Sequence, residues 1–337
     1  MKTALNFLIL TLLTSCGLNQ AADIREITSD ALPEVNSELE TKEADTSDAV
    51  KEDSLEKEIN ETVSALVLEK AEHLDVSYGE NEAHKLDIYL PKREETAKLP
   101  VAVMVHGGGW FTGDKSAKKI IGYKKDYFHK RGYAFVSVNY RLAPEYMYPA
   151  APNDVAGSLS FLKLNKEKYG LDTSKVILIG HSAGAHLINL ISTNERFLNN
   201  AGFERANIKA VVSLDTYFYN IENSLEEGGE RADMIENFFG TSALKMKDGS
   251  PVLHVDENTP NLLCFNRYSD FAQNIKDRAS YMSQIKNKGK LVEGKIIPEY
   301  SHGDFNELFG KDGDQMTEMA NDFFKKLELK LQLFTDA

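Results

Sequence analysis

Three groups of residues in this chain could carry covalent chemistry. The first is Gly180-His181-Ser182-Ala183-Gly184, which fits the pattern G-x-S-x-G. A serine held in a sharp turn leaves no room for side chains two residues before and two after it, so glycines there are mechanically required. The second is His106-Gly107-Gly108-Gly109-Trp110. Successive glycines let a backbone turn its N–H groups into a concavity. With the N–H of Ala183, those of Gly107 and Gly108 are expected to cradle a developing oxyanion. A phosphate cradle would need G-x-x-x-x-G-K-[ST] or G-x-G-x-x-G, and neither is present. Trp110 is expected to line the substrate pocket with His181, although packing beneath the glycine loop is an equal alternative for the tryptophan.

The third group is the set of His and Asp residues that follow the serine. A nucleophilic serine needs a general base oriented by a carboxylate, met here in the order Ser, Asp or Glu, His. The histidines after Ser182 are His186, His254 and His302. His186 lies one turn into the helix that follows the serine and points away, and His254 precedes a strand. His302 follows the last expected strand, beside Gly303, and is the expected base. Asp270, in the loop after Leu262–Phe265, is the expected carboxylate. Asp215, at the end of Ile208–Leu214, is the runner-up, and Asp304 is expected to cap the helix after His302. No metal or cofactor is expected.

These residues need a scaffold that brings strand ends together. Val101–Val105, Tyr133–Val138, Val176–Ile179, Ile208–Leu214, Leu262–Phe265 and Leu291–Ile297 are short apolar runs that read as buried strands. His73–Tyr78 and Lys85–Leu90 alternate across Gly79-Glu80-Asn81-Glu82 and read as a hairpin. Between the strands, Lys118–Arg131, Asp154–Leu164, the stretch from Ala183 and Met316–Leu333 have helical spacing. Alternation of strands and helices gives an α/β fold, with a mostly parallel sheet covered on both faces and an antiparallel hairpin at its start. Tyr217–Leu253 has no clear strand and is expected to insert over the site as part of a cap.

Outside this domain the chain changes character. Lys2 followed by the apolar run Ala4–Leu13 reads as a signal peptide over residues 1–15, too short to span a membrane. Between Gly17 and Glu72 there are 16 acidic and 5 basic residues, so about −11 of the net −13 lies there. Residues 16–70 are expected to form a disordered acidic tether, and 71–337 a single catalytic domain. The acidic balance argues against a nucleic-acid partner, which would need a basic face. Cys264, in an apolar run, reads as a small buried hydrophobe.

The Leu13-Thr14-Ser15-Cys16-Gly17 segment resembles a bacterial lipobox. That resemblance implies lipidation of Cys16 and a secreted lipoprotein held at the outer membrane, facing the periplasm or the cell surface, by acyl chains alone. Together, His106–Trp110, Asn139-Tyr140-Arg141-Leu142-Ala143-Pro144 and Gly180–Gly184 resemble the α/β-hydrolase superfamily. Within it they are similar to BD-FAE-type and hormone-sensitive-lipase-like esterases, with kynurenine formamidase a near relative. The resemblance covers about residues 71–330. It implies an eight-stranded sheet and hydrolysis of carboxylic esters through an acyl-enzyme on Ser182, with small acyl, acetyl or feruloyl esters as substrates. Two departures stand out. Relatives carry His-Gly-x-x-Asp where this chain has Asn266-Arg267-Tyr268-Ser269-Asp270, and valine where it has Gln273. An arylformamidase, a peptidase or a catalytically silent binding protein on the same scaffold stay open as alternatives. The Asn139–Pro144 motif is expected to be a structural turn, with Asp154 bracing a loop.

Overall fold

Leu86, Ile88, Val101, Val103, Val105, Val136 and Leu178 are completely buried, and all lie in strands. The computed structural model describes residues 67–269 and 271–335, which fall within one unit. The expected signal peptide, Cys16 and nearly all of the tether lie outside these residues, as does Asp270.

Eight strands form the main sheet: β1 (Ala71–Ser77), β2 (Lys85–Leu90), β3 (Leu99–Val105), β4 (Ala134–Val138), β5 (Leu171–His181), β6 (Ile208–Leu214), β7 (Asn261–Asn266) and β8 (Val292–Ile296). Their order across the sheet is β8-β7-β6-β5-β3-β4-β2-β1. The pairs β1/β2 and β2/β4 are antiparallel and the rest are parallel. A separate two-stranded piece pairs Val67–Leu68 with Arg93–Glu94.

The runs β3 and β4 are apolar at nearly every position because both faces of the sheet are covered. One face packs Val101, Val103, Val105, Val176 and Leu178 against α2 (Ala150–Leu164) and α3 (Ala183–Thr193). The other packs Ala102, Met104, Ile177 and Ile179 with Phe128 of α1 (Lys118–His129) and Phe323 of the C-terminal helix Gln315–Thr335. Each fully buried aliphatic side chain contributes roughly 1.5–3 kcal/mol.

β5 runs longer than its apolar core, because Leu171 and Asp172 also pair with Leu99 and Pro100 before the register shifts. In a parallel sheet, ligands sit at the carboxyl ends where the chain reverses its direction across the sheet. That point is between β3 and β5. The loop His106–Gly109 leaves one strand there and Ser182 leaves the other.

Candidate active site

Ser182 sits at the turn between β5 and α3 with φ 56° and ψ −121°. Such a backbone is strained for a residue with a Cβ and persists only where its surroundings enforce it. Two surroundings do so here. The Ser182 N–H donates to the Leu214 carbonyl at 2.9 Å, and the Ser182 carbonyl accepts the His186 N–H at 3.0 Å. Ser182 also occupies the N-cap of α3, yet its hydroxyl makes no capping bond. The Oγ is therefore left for the cleft.

The flanking glycines are needed for space. A Cβ on Gly180 would lie 2.5 Å from the Gly184 carbonyl oxygen, and one on Gly184 would strike the carbonyls of Val105 and His106. Gly107 passes equally close, since a Cβ there would lie 2.8 Å from the His181 carbonyl and 3.0 Å from Ser182 Cβ. Among the described residues no acceptor meets the N–H groups of Gly107, Gly108 or Ala183. Ala183 opens α3, whose first N–H groups have no partner inside the helix. These three N–H groups, expected at an oxyanion, are thus without an acceptor among the described residues.

The loop is held from both ends. Tyr140 stacks on His106, ring centroids 4.4 Å apart, and donates to its carbonyl at 3.0 Å. Asn139 donates to Asp114 at 2.9 Å and accepts the Lys115 N–H at 2.6 Å. Arg141 grips Asp154 through Nε and Nη2 at 2.7–3.1 Å, and His84 meets the same carboxylate at 3.1 Å. The Asn139–Pro144 segment is thus a brace, with buried Asp154 its anchor.

His302 is the first residue of a short helix, His302–Glu307. Ser301 and Asp304 cap it by bonding reciprocally to each other's backbone N–H, the capping expected of Asp304. The His302 Nδ1 lies 2.5 Å from Asp215 Oδ2. The carboxylate beside the imidazole is therefore Asp215, where Asp270 was the expectation and Asp215 the runner-up. The reason lies in the local backbone. Asp215 has φ 49°, which turns its side chain across the end of β7. It donates its N–H to the Phe265 carbonyl at 2.7 Å, and its Oδ1 accepts the Arg267 N–H at 2.9 Å. The Arg267 guanidinium lies 3.3 Å from Oδ2.

Asn266 is wholly buried. It donates to the Thr216 carbonyl at 2.6 Å and accepts from Arg278 Nε at 2.8 Å. Cys264 is buried beside it, as expected. Among the described residues no group of three or more His, Cys, Asp or Glu side chains is placed to hold a metal ion.

Ser182, His181, His302, His106 and the glycine loop line a cavity of about 290 Å³ together with Lys119, Ile120 and Asn306. His181 has a second role that its place in the motif does not announce. Its Nε2–H points at the His302 carbonyl, 2.9 Å away. Burial, together with the positive charge that His302 can carry, pushes the His181 imidazole down to about 3. At neutral pH it is uncharged and serves as a hydrogen-bond donor beneath His302.

The BD-FAE family model matches residues 86–280, well over half of the chain and the segment that carries the glycine loop, the serine turn and Asp215. The chain belongs to the BD-FAE family. Esterase LipC of Mycobacterium tuberculosis is 24% identical over 68% of this chain and 59% of its own length. The isoprenylcysteine alpha-carbonyl methylesterase ICME of Arabidopsis thaliana is 31% identical over 68% of this chain and 56% of its own. The chain thus spans somewhat more than half the length of these relatives. Among solved structures, a truncated carbohydrate esterase from gut microbiota superposes with a TM-score of 0.58 at 21% identity, covering 77% of this chain and 96% of its own. That likeness, with the eight-stranded, mostly parallel sheet, shows the α/β-hydrolase fold.

In this BD-FAE member Trp110 does not line the cavity. Its side chain is completely buried, stacked on Phe238 at 4.7 Å and 3° and set edge-on to Phe239 and His186. A φ of 71° rolls the indole away from the cleft. The segment Tyr217–Leu253, which carries the helices Ile221–Leu225, Gly229–Phe239 and Ala243–Asp248, supplies both phenylalanines from the second of these. It supports the outer face of the glycine loop, with Met234 against Gly109.

Proposed function

We propose that the protein is a serine esterase that cleaves small carboxylic esters. Ser182 Oγ attacks the acyl carbon while His302 Nε2 takes its proton. The tetrahedral oxyanion is held by the N–H groups of Gly107, Gly108 and Ala183, where the helix terminus favours negative charge. His302 then passes the proton to the leaving alcohol oxygen, the C–O bond breaks and an acyl-enzyme remains. Water attacks this ester by the same route, His302 taking its proton, and Ser182 is released with the carboxylic acid. Asp215 accepts the Nδ1–H of His302, which fixes the tautomer and stabilises the imidazolium.

The observation that carries this reading is the meeting of a strained, uncapping serine with a histidine whose Nδ1 lies 2.5 Å from a buried aspartate, in one cavity. Kinship with the esterases above supports ester cleavage, and the resemblance of the motifs is the ground for trying acetyl and feruloyl esters first. Turnover of a short 4-nitrophenyl ester by the protein, and its loss by a factor of about 10⁵ or more in Ser182→Ala, is the expected result. Undiminished turnover in that variant would overturn it. A fluorophosphonate should add once, on Ser182, by peptide mass spectrometry. A panel of acetylated xylan, methyl ferulate and N-formylkynurenine separates ester from formamide preference.

On the sequence of the first 70 residues we further propose a lipoprotein, cleaved before Cys16 and anchored by acyl chains, with the acidic segment as spacer. Cys16→Ser should move the protein from the membrane fraction to the soluble one.

A further inference from the structure

The helix His302–Glu307 carries the base, yet it is only 6 residues long and has little stability of its own. Beyond its cap, two side chains outside the triad hold its backbone, one at each end.

His181 holds the first residue. Its Nε2–H donates to the His302 carbonyl at 2.9 Å, and the two imidazole rings lie 4.5 Å apart, tilted by 38°. The Nδ1 edge of the same ring lies against the glycine loop, since a Cβ on Gly107 would come within 3.1 Å of Nδ1. One buried ring thus touches both the base and the loop expected to bind the oxyanion.

Lys124 holds the last turn. It is completely buried, and its Nζ donates to two carbonyls, that of Lys119 at 2.9 Å and that of Asn306. Both carbonyls sit where a helical ladder ends. α1 is broken at Gly122, with φ 25° and ψ −132°, just beyond Lys119. The N–H of Gly310, four residues after Asn306, goes to Thr317 Oγ1 at 2.9 Å instead. Carbonyls left over at helix ends are commonly met by a lysine. Burial pushes the Lys124 amine down to about 7, against the opposing charge of Glu307. Charged or neutral, the amine keeps enough N–H groups for both carbonyls. Burying it is costly, and what it joins is α1, whose first turn lines the cavity, and the helix that bears the base.

We propose that His181 and Lys124 are positioning residues for the base. His181 fixes the first residue of its helix against the glycine loop, and Lys124 fixes the last turn against α1. Both act through His302, which must reach Ser182 and then the leaving oxygen. This inference rests on the esterase reading above. A catalytic group displaced by about 1 Å can cost on the order of 10²-fold in rate.

The test is kcat and KM for 4-nitrophenyl acetate, with kcat expressed per serine titrated to completion by a fluorophosphonate, so that unfolded protein does not count. His181→Phe keeps a ring and loses the donor. It is expected to lower kcat about 10- to 100-fold with KM within about threefold. His181→Gln, which returns an N–H close to the place of Nε2, should recover most of that loss. Lys124→Met, of similar length and without a donor, should lower kcat about tenfold. Lys124→Gln, which can still serve one carbonyl, should fall between and replaces the methionine variant if that one does not fold. A purely structural role would reduce the yield of titratable serine and leave kcat per serine at the wild-type value. That result at either position, or equal kcat in the phenylalanine and glutamine variants of His181, overturns the proposal while esterase activity stands. A wild type that does not hydrolyse 4-nitrophenyl acetate overturns the esterase reading beneath it.

Discussion

The nucleophile side of the cleft and its carboxylate side are built differently. On the nucleophile side, strand, turn and helix are contiguous in sequence, and the contacts that force the geometry are close backbone approaches. Gly180 and Gly184 touch each other, Gly107 touches Ser182, and the backbone there admits no substitute. On the carboxylate side, Asp215 is aimed by contacts fifty or more residues away, with Arg267 and the Phe265 carbonyl, and it meets a histidine 87 residues on. The first side is specified by backbone sterics and the second by tertiary hydrogen bonds. A loop of the second kind can change its residues and still deliver an acid, because only the carboxylate's final position is constrained.

The sharpest break of that contrast is at the acid itself. Asp215→Asn should lower kcat by about 10³–10⁴, since an amide beside Nδ1 favours the wrong tautomer. Asp270→Asn should leave kcat within about threefold of wild type. Steady-state kinetics on a 4-nitrophenyl ester decide between them, and the reverse outcome would return the acid role to Asp270. Next in size is the brace. Asp154 is 3% exposed on its side chain and answers both Arg141 and His84. Asp154→Ala leaves a half-buried guanidinium unpaired and should destabilise the protein by about 3 kcal/mol, read from denaturant unfolding.

Acid sensitivity should also fall on the nucleophile side. Burial pushes His186 down to about 4 and lowers His106, while burial together with His302 holds His181 at about 3. All three lie below the ordinary 6.5, so the unfolded chain binds more protons in acid and stability drops as pH falls below 6.5. Unfolding free energies at pH 7.5 and pH 5 should differ by on the order of 2 kcal/mol for each of His181 and His186. A flat profile would mean these imidazoles are already charged in the fold. The smallest effect belongs to Arg267, whose side chain is 41% exposed. Arg267→Ala should change kcat by less than about fivefold, because solvent screens the pair and the backbone N–H still holds Asp215.

This division also explains what could be read in the chain. The strands were legible because both faces of the sheet are covered and the runs are continuously apolar. Ser182, Gly107, Gly108 and Ala183 were legible because the turn's sterics write themselves into adjacent residues. His302 stood out as the histidine after the last strand. Asp215 was visible only as one of two strand-end aspartates, since nothing local records the φ of 49° that swings it toward His302. Trp110 stayed between pocket lining and packing beneath the loop for a related reason, and the structure takes the second. Its position in the loop is a sequence fact, but the side chain's direction depends on a backbone angle and on Phe238, well over a hundred residues later. The second role of His181 carried no signal, because the pattern G-x-S-x-G leaves the residue before the serine open.

The aromatic stack beneath Trp110 has a consequence for how this enzyme family could diversify. Phe218, Phe238 and Phe239 come from the segment between β6 and β7, which adds no strand to the sheet, yet they hold the indole that follows the glycine loop. That segment is a foundation for the catalytic loop as well as decoration around it. Transplanting it from a relative in order to alter substrate choice would tilt the N–H groups of Gly107 and Gly108 unless residue 110 travelled with it. Loop grafts on this scaffold should therefore exchange the tryptophan and its phenylalanines as one unit.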